Sequence, residues 1–209
     1  MSVITDKPAT EGGRVFDLVE RGFLLTLCLW AIARLAPSIT TEPQVSLLLV
    51  SEGLAVVFIL LRRPARRIDV SPYAAGVAFL GTAAPLLVIA PGGDWIPSGL
   101  GAALMAMGLL LNISAKIALN RSFGLAAANR GVKRAGPYQL LRHPMYAGYA
   151  FTQATFLLLN PCPWNLGVYA LSWSAQILRI RAEEKLLLED PAYRDYAADV
   201  RFRLIPGVY

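Results

Sequence analysis

PSGLGAALMAMGLLLNISAKIAL, from Pro97 to Leu119, carries a single charge, Lys116. A hydrocarbon layer about 30 Å thick takes roughly 20 apolar residues in a helix, and this run has that length. Comparable runs extend from Val15 to Ala36, Val45 to Leu61 and Tyr73 to Ala90, divided by Pro, Gly or charge clusters. They predict four transmembrane helices across residues 15–119. Further on, Tyr146 to Asn160 and Trp164 to Ile180 are joined by Pro161-Cys162-Pro163, a connection tight enough to demand a helical hairpin. With 56% of its 209 residues hydrophobic and 16% charged, the chain lies outside soluble composition. The pattern predicts an all-α integral membrane protein, one domain over residues 1–209, of about six spans with the fifth short.

The net charge of +6 is distributed by topology. Arg62, Arg63, Arg66 and Arg67 follow the second run, and Arg121, Arg130, Lys133, Arg134 and Arg142 fall in one later segment. The stretches from Ser38 to Gln44, Pro91 to Ile96 and Asn160 to Trp164 hold no Lys or Arg. The positive-inside rule then puts the amino terminus, the Arg62 to Arg67 loop, the segment from Asn120 to His143 and the carboxyl tail in the cytoplasm. A basic charge arranged this way excludes a nucleic-acid groove. Cys28 and Cys162 have neither the spacing nor the companions of a metal site or disulfide. The polar start from Met1 to Arg14 lacks the apolar core of a removable signal peptide, so the first run is read as an anchor.

Polar chemistry concentrates after residue 119. Gly136-Pro137-Tyr138-Gln139-Leu140-Leu141-Arg142-His143-Pro144-Met145-Tyr146 contains the one histidine of the chain. Pro144 biases His143 away from helical geometry and suits the first position of the fifth helix, whose free N–H groups then face a cytosolic pocket and favour an anionic group. The bland alternative is a polar membrane boundary. Arg179 and Glu183 share a helix face at the end of the last span, with Arg181 and Glu184 beside them; here the alternative is a solvated helix end laced with ion pairs. The hairpin favours chemistry, because it returns this end to Tyr146. Asp190-Pro191 caps a short amphipathic helix bearing Tyr193, Tyr196, Ala197 and Val200, suited to lie on the Asn120 to His143 segment and close the pocket.

Within the spans, Glu52 is a candidate for a substrate tunnel, against the plainer reading of a structural hydrogen bond between helices. Lys116 is expected to snorkel to the cytosolic interface. Gly99, Ala102, Ala103 and Ala106 are expected to let helices approach closely. Neither a P-loop nor a dinucleotide fingerprint is present around Gly131.

Gly136-Pro137-Tyr138, Arg142-His143-Pro144-Met145-Tyr146-x-Gly148, Arg179-x-x-x-Glu183-Glu184, Tyr193-x-x-Tyr196 and Arg203-x-x-Pro206 together resemble the isoprenylcysteine carboxyl methyltransferase family. The wider set of small membrane methyltransferases, including phospholipid N-methyltransferases and methanethiol S-methyltransferase, is similar too. The resemblance implies S-adenosylmethionine in a cytosolic pocket formed by residues 120–209, a catalytic region with the hairpin and the amphipathic tail. It implies cofactor contacts from Arg130, Gly131, Val132, Lys133, Tyr138, His143, Pro144, Met145, Tyr146 and Glu183, with Arg179 meeting the substrate carboxylate. The acceptor is then a lipophilic small molecule or lipid entering from the bilayer, an isoprenylcysteine-like carboxylate first and a phospholipid amine or small thiol second. A sterol-type reductase using NADPH, or a non-catalytic membrane protein, is the alternative of another class.

Overall fold

The structure, a computed structural model, describes residues 11–37, 43–61, 67–68, 72–89, 91, 93–122, 128–129 and 131–208. Its helices are α1 (Glu11–Leu35), α2 (Pro43–Leu61), α3 (Pro72–Ala83), α4 (Ser98–Leu119), α5 (Pro144–Leu159), α6 (Pro163–Leu187) and α7 (Pro191–Asp199). Among the described residues the extended pairing is one short antiparallel ladder, β1 (Arg67–Ile68) with β2 (Ala128–Asn129). The fold is all-helical, as expected.

The elements meet at two ends. At one, the ladder ties the α2–α3 connection to the segment after α4, with Arg67 opposite Asn129. At the other, Trp95 N–H donates to Leu158 O at 2.9 Å and the Trp164 indole to Leu87 O at 2.9 Å. Asn165, fully buried, donates to Ile89 O and Asn160 O, both at 2.9 Å, and accepts from Ile89 N–H at 3.0 Å. The two Arg-bearing connections therefore share one end and two Arg-free ones the other, the grouping that charge counting predicts.

Helix α4 places two polar side chains in its buried face and several large apolar ones outside. It buries Asn112 and Lys116 and exposes Leu100, Met107, Leu110 and Ile117. Among the described residues it is the helix long and apolar enough to cross a membrane, Gly76–Leu87 being a shorter apolar helix. Its inner face approaches α5 at glycine. A Cβ on Gly148 would lie 2.8 Å from both Gly108 O and Asn112 N, and one on Gly101 would collide with Leu159. The Asn112 amide donates to Met145 O at 3.0 Å across this seam, fixing the first turn of α5.

Four expectations need correction. Close approach falls to Gly101 and Gly108, whereas Gly99 and Ala103 are exposed and nothing lies within 4 Å of a Cβ on Gly99. Lys116 does not snorkel: it is 1% exposed, with Nζ 5.6 Å from the centre of the Tyr149 ring, a cation held inside by an aromatic face. The third run is α-helical to Ala83 and continues as a 3₁₀ turn over Ala84–Leu87. Pro85 causes this, since it cannot donate to Gly81 O; the buried Ser172 hydroxyl donates there instead at 3.5 Å. Finally, Pro161-Cys162-Pro163 does join two helices tightly, but α5 packs chiefly on α4 and α6 on α3. Helix α6 also runs beyond Ile180 to Leu187.

The glycine seam yields the first prediction. Gly148→Ala must push two backbones apart and should destabilise by about 1–3 kcal/mol, whereas Gly99→Ala should be neutral or slightly stabilising. Thermal unfolding of both variants in detergent checks this; equal midpoints would contradict the seam.

Candidate functional site

The site assembles where α6 outruns the bundle. Pro144 opens α5 at its first position, leaving His143 as the N-cap with non-helical backbone (φ −128°, ψ 55°). The residues before α5 are held by the tail: Arg142 N–H donates to Phe202 O and His143 N–H to Arg203 O, each at 2.9 Å. Helix α7 is capped by the Asp190 carboxylate, which accepts from Ala192 N–H at 2.9 Å. Its Tyr196 hydroxyl donates to Tyr138 O at 2.7 Å, and Arg134 pairs with Asp199 at 3.0 Å. The tail thus lies on the segment before α5, as its amphipathic pattern predicts.

Two adjacent glutamates on α6 face different partners. Glu183 accepts from the Tyr146 hydroxyl at 2.6 Å and stands 3.4 Å from Arg179 Nε, while the Arg179 guanidinium sits 5.1 Å from the centre of the Tyr146 ring. Glu184 is buried and meets Arg142 Nη1 at 3.1 Å, His143 Nε2 at 3.2 Å and Arg203 Nε at 2.5 Å. His143 bridges the pair, its Nδ1 lying 3.7 Å from Glu183. His143 thus has a carboxylate near each ring nitrogen. Burial opposes ionisation of Glu184, but hydrogen bonds from His143 and Arg203 and the charges of His143 and Arg142 outweigh it and hold the carboxyl below its ordinary range. The Tyr196 phenol is pushed up to about 12, chiefly by burial, so it stays a donor.

Above these groups lies a cavity open to solvent. Gly131, Val132, Lys133, Tyr138, His143, Met145, Tyr146 and Glu183 line it. Gly131 has φ +96°, a conformation L residues rarely adopt. Pro144 lies beneath the lining as the helix start, and Arg179 is buried behind Tyr146 rather than at the wall. Arg130 and the Glu52 side chain lie outside the described residues. The lining also includes Leu119, Ser122, Arg142, Leu187, Tyr193 and Tyr196, to which sequence reasoning assigned no ligand contact. Leu187 follows Glu183 by four residues, so helical spacing alone would have put it on the same face.

Helix ends, a carboxylate pair and a tyrosine-rich lid around one cavity describe a small-molecule site on a helical bundle. Residues 97–193 match the family described as phospholipid methyltransferase. That match agrees with the wider set of small membrane methyltransferases named by the motifs. A comparison with curated proteins found no match.

Acid should attack this site through Glu184. Its carboxyl is depressed in the fold, so the stabilisation is present above the unfolded value near 4.3 and is lost as pH falls toward the folded one. Wild type should therefore lose stability steeply below about pH 4.5. Glu184→Gln should be less stable at pH 7, by about 3 kcal/mol, because the Arg142 and Arg203 guanidinium groups lose their counter-charge, and should show a flatter acid limb. Denaturation midpoints from pH 3 to 7 report both.

Proposed function

We propose that this chain is an S-adenosylmethionine-dependent methyltransferase acting on a lipophilic acceptor at a membrane that it crosses about six times, with the cavity and both termini on the cytosolic side. The observation that carries the reading is a coincidence of extent: the family match over 97–193 contains every lining residue of the cavity except Tyr196. The donor set suits the cofactor. Leu119, Met145 and Leu187 offer apolar wall, Glu183 offers a carboxylate for a cationic group, and Arg142 with Tyr193 offers donors for an anionic one.

When bound, S-adenosylmethionine supplies a methyl group already activated on a sulfonium. Little further machinery is then required of the chain beyond holding partners at near-attack distance in a dry site. Tyr138, His143, Met145, Tyr146 and Glu183 hold the cofactor, joined by Arg130 and the Gly131 to Lys133 backbone, with Pro144 setting the helix end. The α7 lid excludes water. Arg179, buried behind Tyr146 and paired with Glu183, is the cation we assign to the anionic headgroup of the acceptor. A buried guanidinium favours a carboxylate acceptor of the isoprenylcysteine kind, with Glu52 lining its path. The family match favours the alternative, a phospholipid amine, for which His143 between its two carboxylates is the group placed to take a proton.

Two measurements test this. S-adenosylhomocysteine should bind the detergent-solubilised protein and NADPH should not, and Glu183→Gln or His143→Ala should weaken that binding by about tenfold. Binding of NADPH alone would transfer the chain to the reductase class. The acceptor is read from the pH profile of methyl transfer to N-acetyl-S-farnesylcysteine and to phosphatidylethanolamine. A carboxylate acceptor gives a kcat/KM nearly flat from about pH 6 to 8, whereas an amine gives one that climbs. In the carboxylate case Arg179→Ala raises KM and spares cofactor affinity.

A further inference from the structure

Two buried donors at the cavity make no hydrogen bond among the described residues: the Tyr193 hydroxyl and Arg142 Nε. Tyr193 is 5% exposed, and Arg142 already spends Nη1 on Glu184 and Nη2 on Arg201 O. Both residues line the same cavity. Orphaned buried donors are costly, and two at one wall mark the place where an acceptor group belongs. Burial raises the Tyr193 phenol above its ordinary value, so it presents a proton and not a lone charge. A guanidinium N–H and a phenol O–H together suit an anionic oxygen acceptor. Across the same cavity Glu183 presents the opposite charge.

We infer that Arg142 and Tyr193 form the subsite for the carboxylate of the cofactor's amino-acid end, with Glu183 facing its ammonium. This rests on the methyltransferase reading above and extends it to α7, giving a ligand contact to two residues to which the resemblance assigned none. The tail helix then recognises the ligand as well as covering it. Tyr193 is a binding residue and takes no part in bond making.

The test compares S-adenosylhomocysteine with its decarboxylated analogue, which keeps the ammonium, by calorimetry on the full-length protein in detergent. Tyr193→Phe should lower affinity for S-adenosylhomocysteine by roughly 10-fold or more and leave the analogue unchanged. Arg142→Lys, which keeps the charge beside Glu184 but removes Nε, should show the same selectivity. Without ligand, Tyr193→Phe should unfold at the wild-type temperature or above, since the hydroxyl it loses makes no hydrogen bond among the described residues. Unchanged S-adenosylhomocysteine affinity in Tyr193→Phe, an equal loss for both ligands, or a lowered ligand-free midpoint would each overturn the subsite while leaving the methyltransferase reading intact. Failure of the wild-type protein to bind either ligand would overturn that reading and the subsite with it.

Discussion

Everything around the cavity depends on one buried carboxylate. Glu184 collects Arg142, His143 and Arg203, which come from the segment before α5 and from the tail, onto the end of α6. Helix α7 buries little beyond Tyr193, Tyr196 and Val200. A buried charge with three charge-assisted partners is costly to take apart, because removing any one partner leaves the others unmatched. The cluster therefore works as a clamp. It sets where the tail crosses, and the tail then sets the height of Tyr193 and Tyr196 over the cavity.

A second constraint reaches the site from below. The Gly108–Gly148 contact brings the α4 and α5 backbones together, and Asn112 locks the Met145 carbonyl from inside the seam. The register of α5 is fixed within a turn of His143. Because Pro144 fixes the helix start, a register fixed at Gly148 fixes Tyr146 as well, and with it the hydroxyl that bonds Glu183. Lys116 and Arg179, each against a tyrosine of α5, extend this polar interior toward the bundle centre. Helix α4 turns Leu100 and Leu110 outward and Asn112 and Lys116 inward, a distribution suited to surroundings less polar than the bundle interior.

How much of this was legible in the sequence depends on which solvent each residue meets. The caps at Pro144 and Pro191, the tight turn at Pro161, the division of the loops between two ends and the return of Glu183 to Tyr146 all follow from local rules. Lys116 and the glycines do not. Hydropathy says that a lysine near a helix end reaches for water, yet only the helix rotation decides whether it faces outward or Tyr149, and rotation is a tertiary property. Gly101 and Gly108 lie seven residues apart, two turns on one face, while the Gly99 and Ala103 pair at four-residue spacing lies on another. Composition cannot choose between those faces.

Ile180 is where the apolar span and the helix part, as the shared helix face of Arg179 and Glu183 implies. Apolar content falls there, so a hydropathy reading ends the span, but the helix continues to Leu187 because hydrogen bonding along the backbone is indifferent to the change of solvent. The added turns are the functional ones. Successive residues on a helix point about 100° apart, so Glu183 and Glu184 diverge, one toward Tyr146 and Arg179 and the other toward the tail. His143 alone spans the gap between them. One carboxylate is thereby committed to the architecture and its neighbour is left at the cavity wall. That arrangement requires a helix that leaves the bundle without breaking, which is why the site sits at this end of α6 and not at the tight turn where α6 begins.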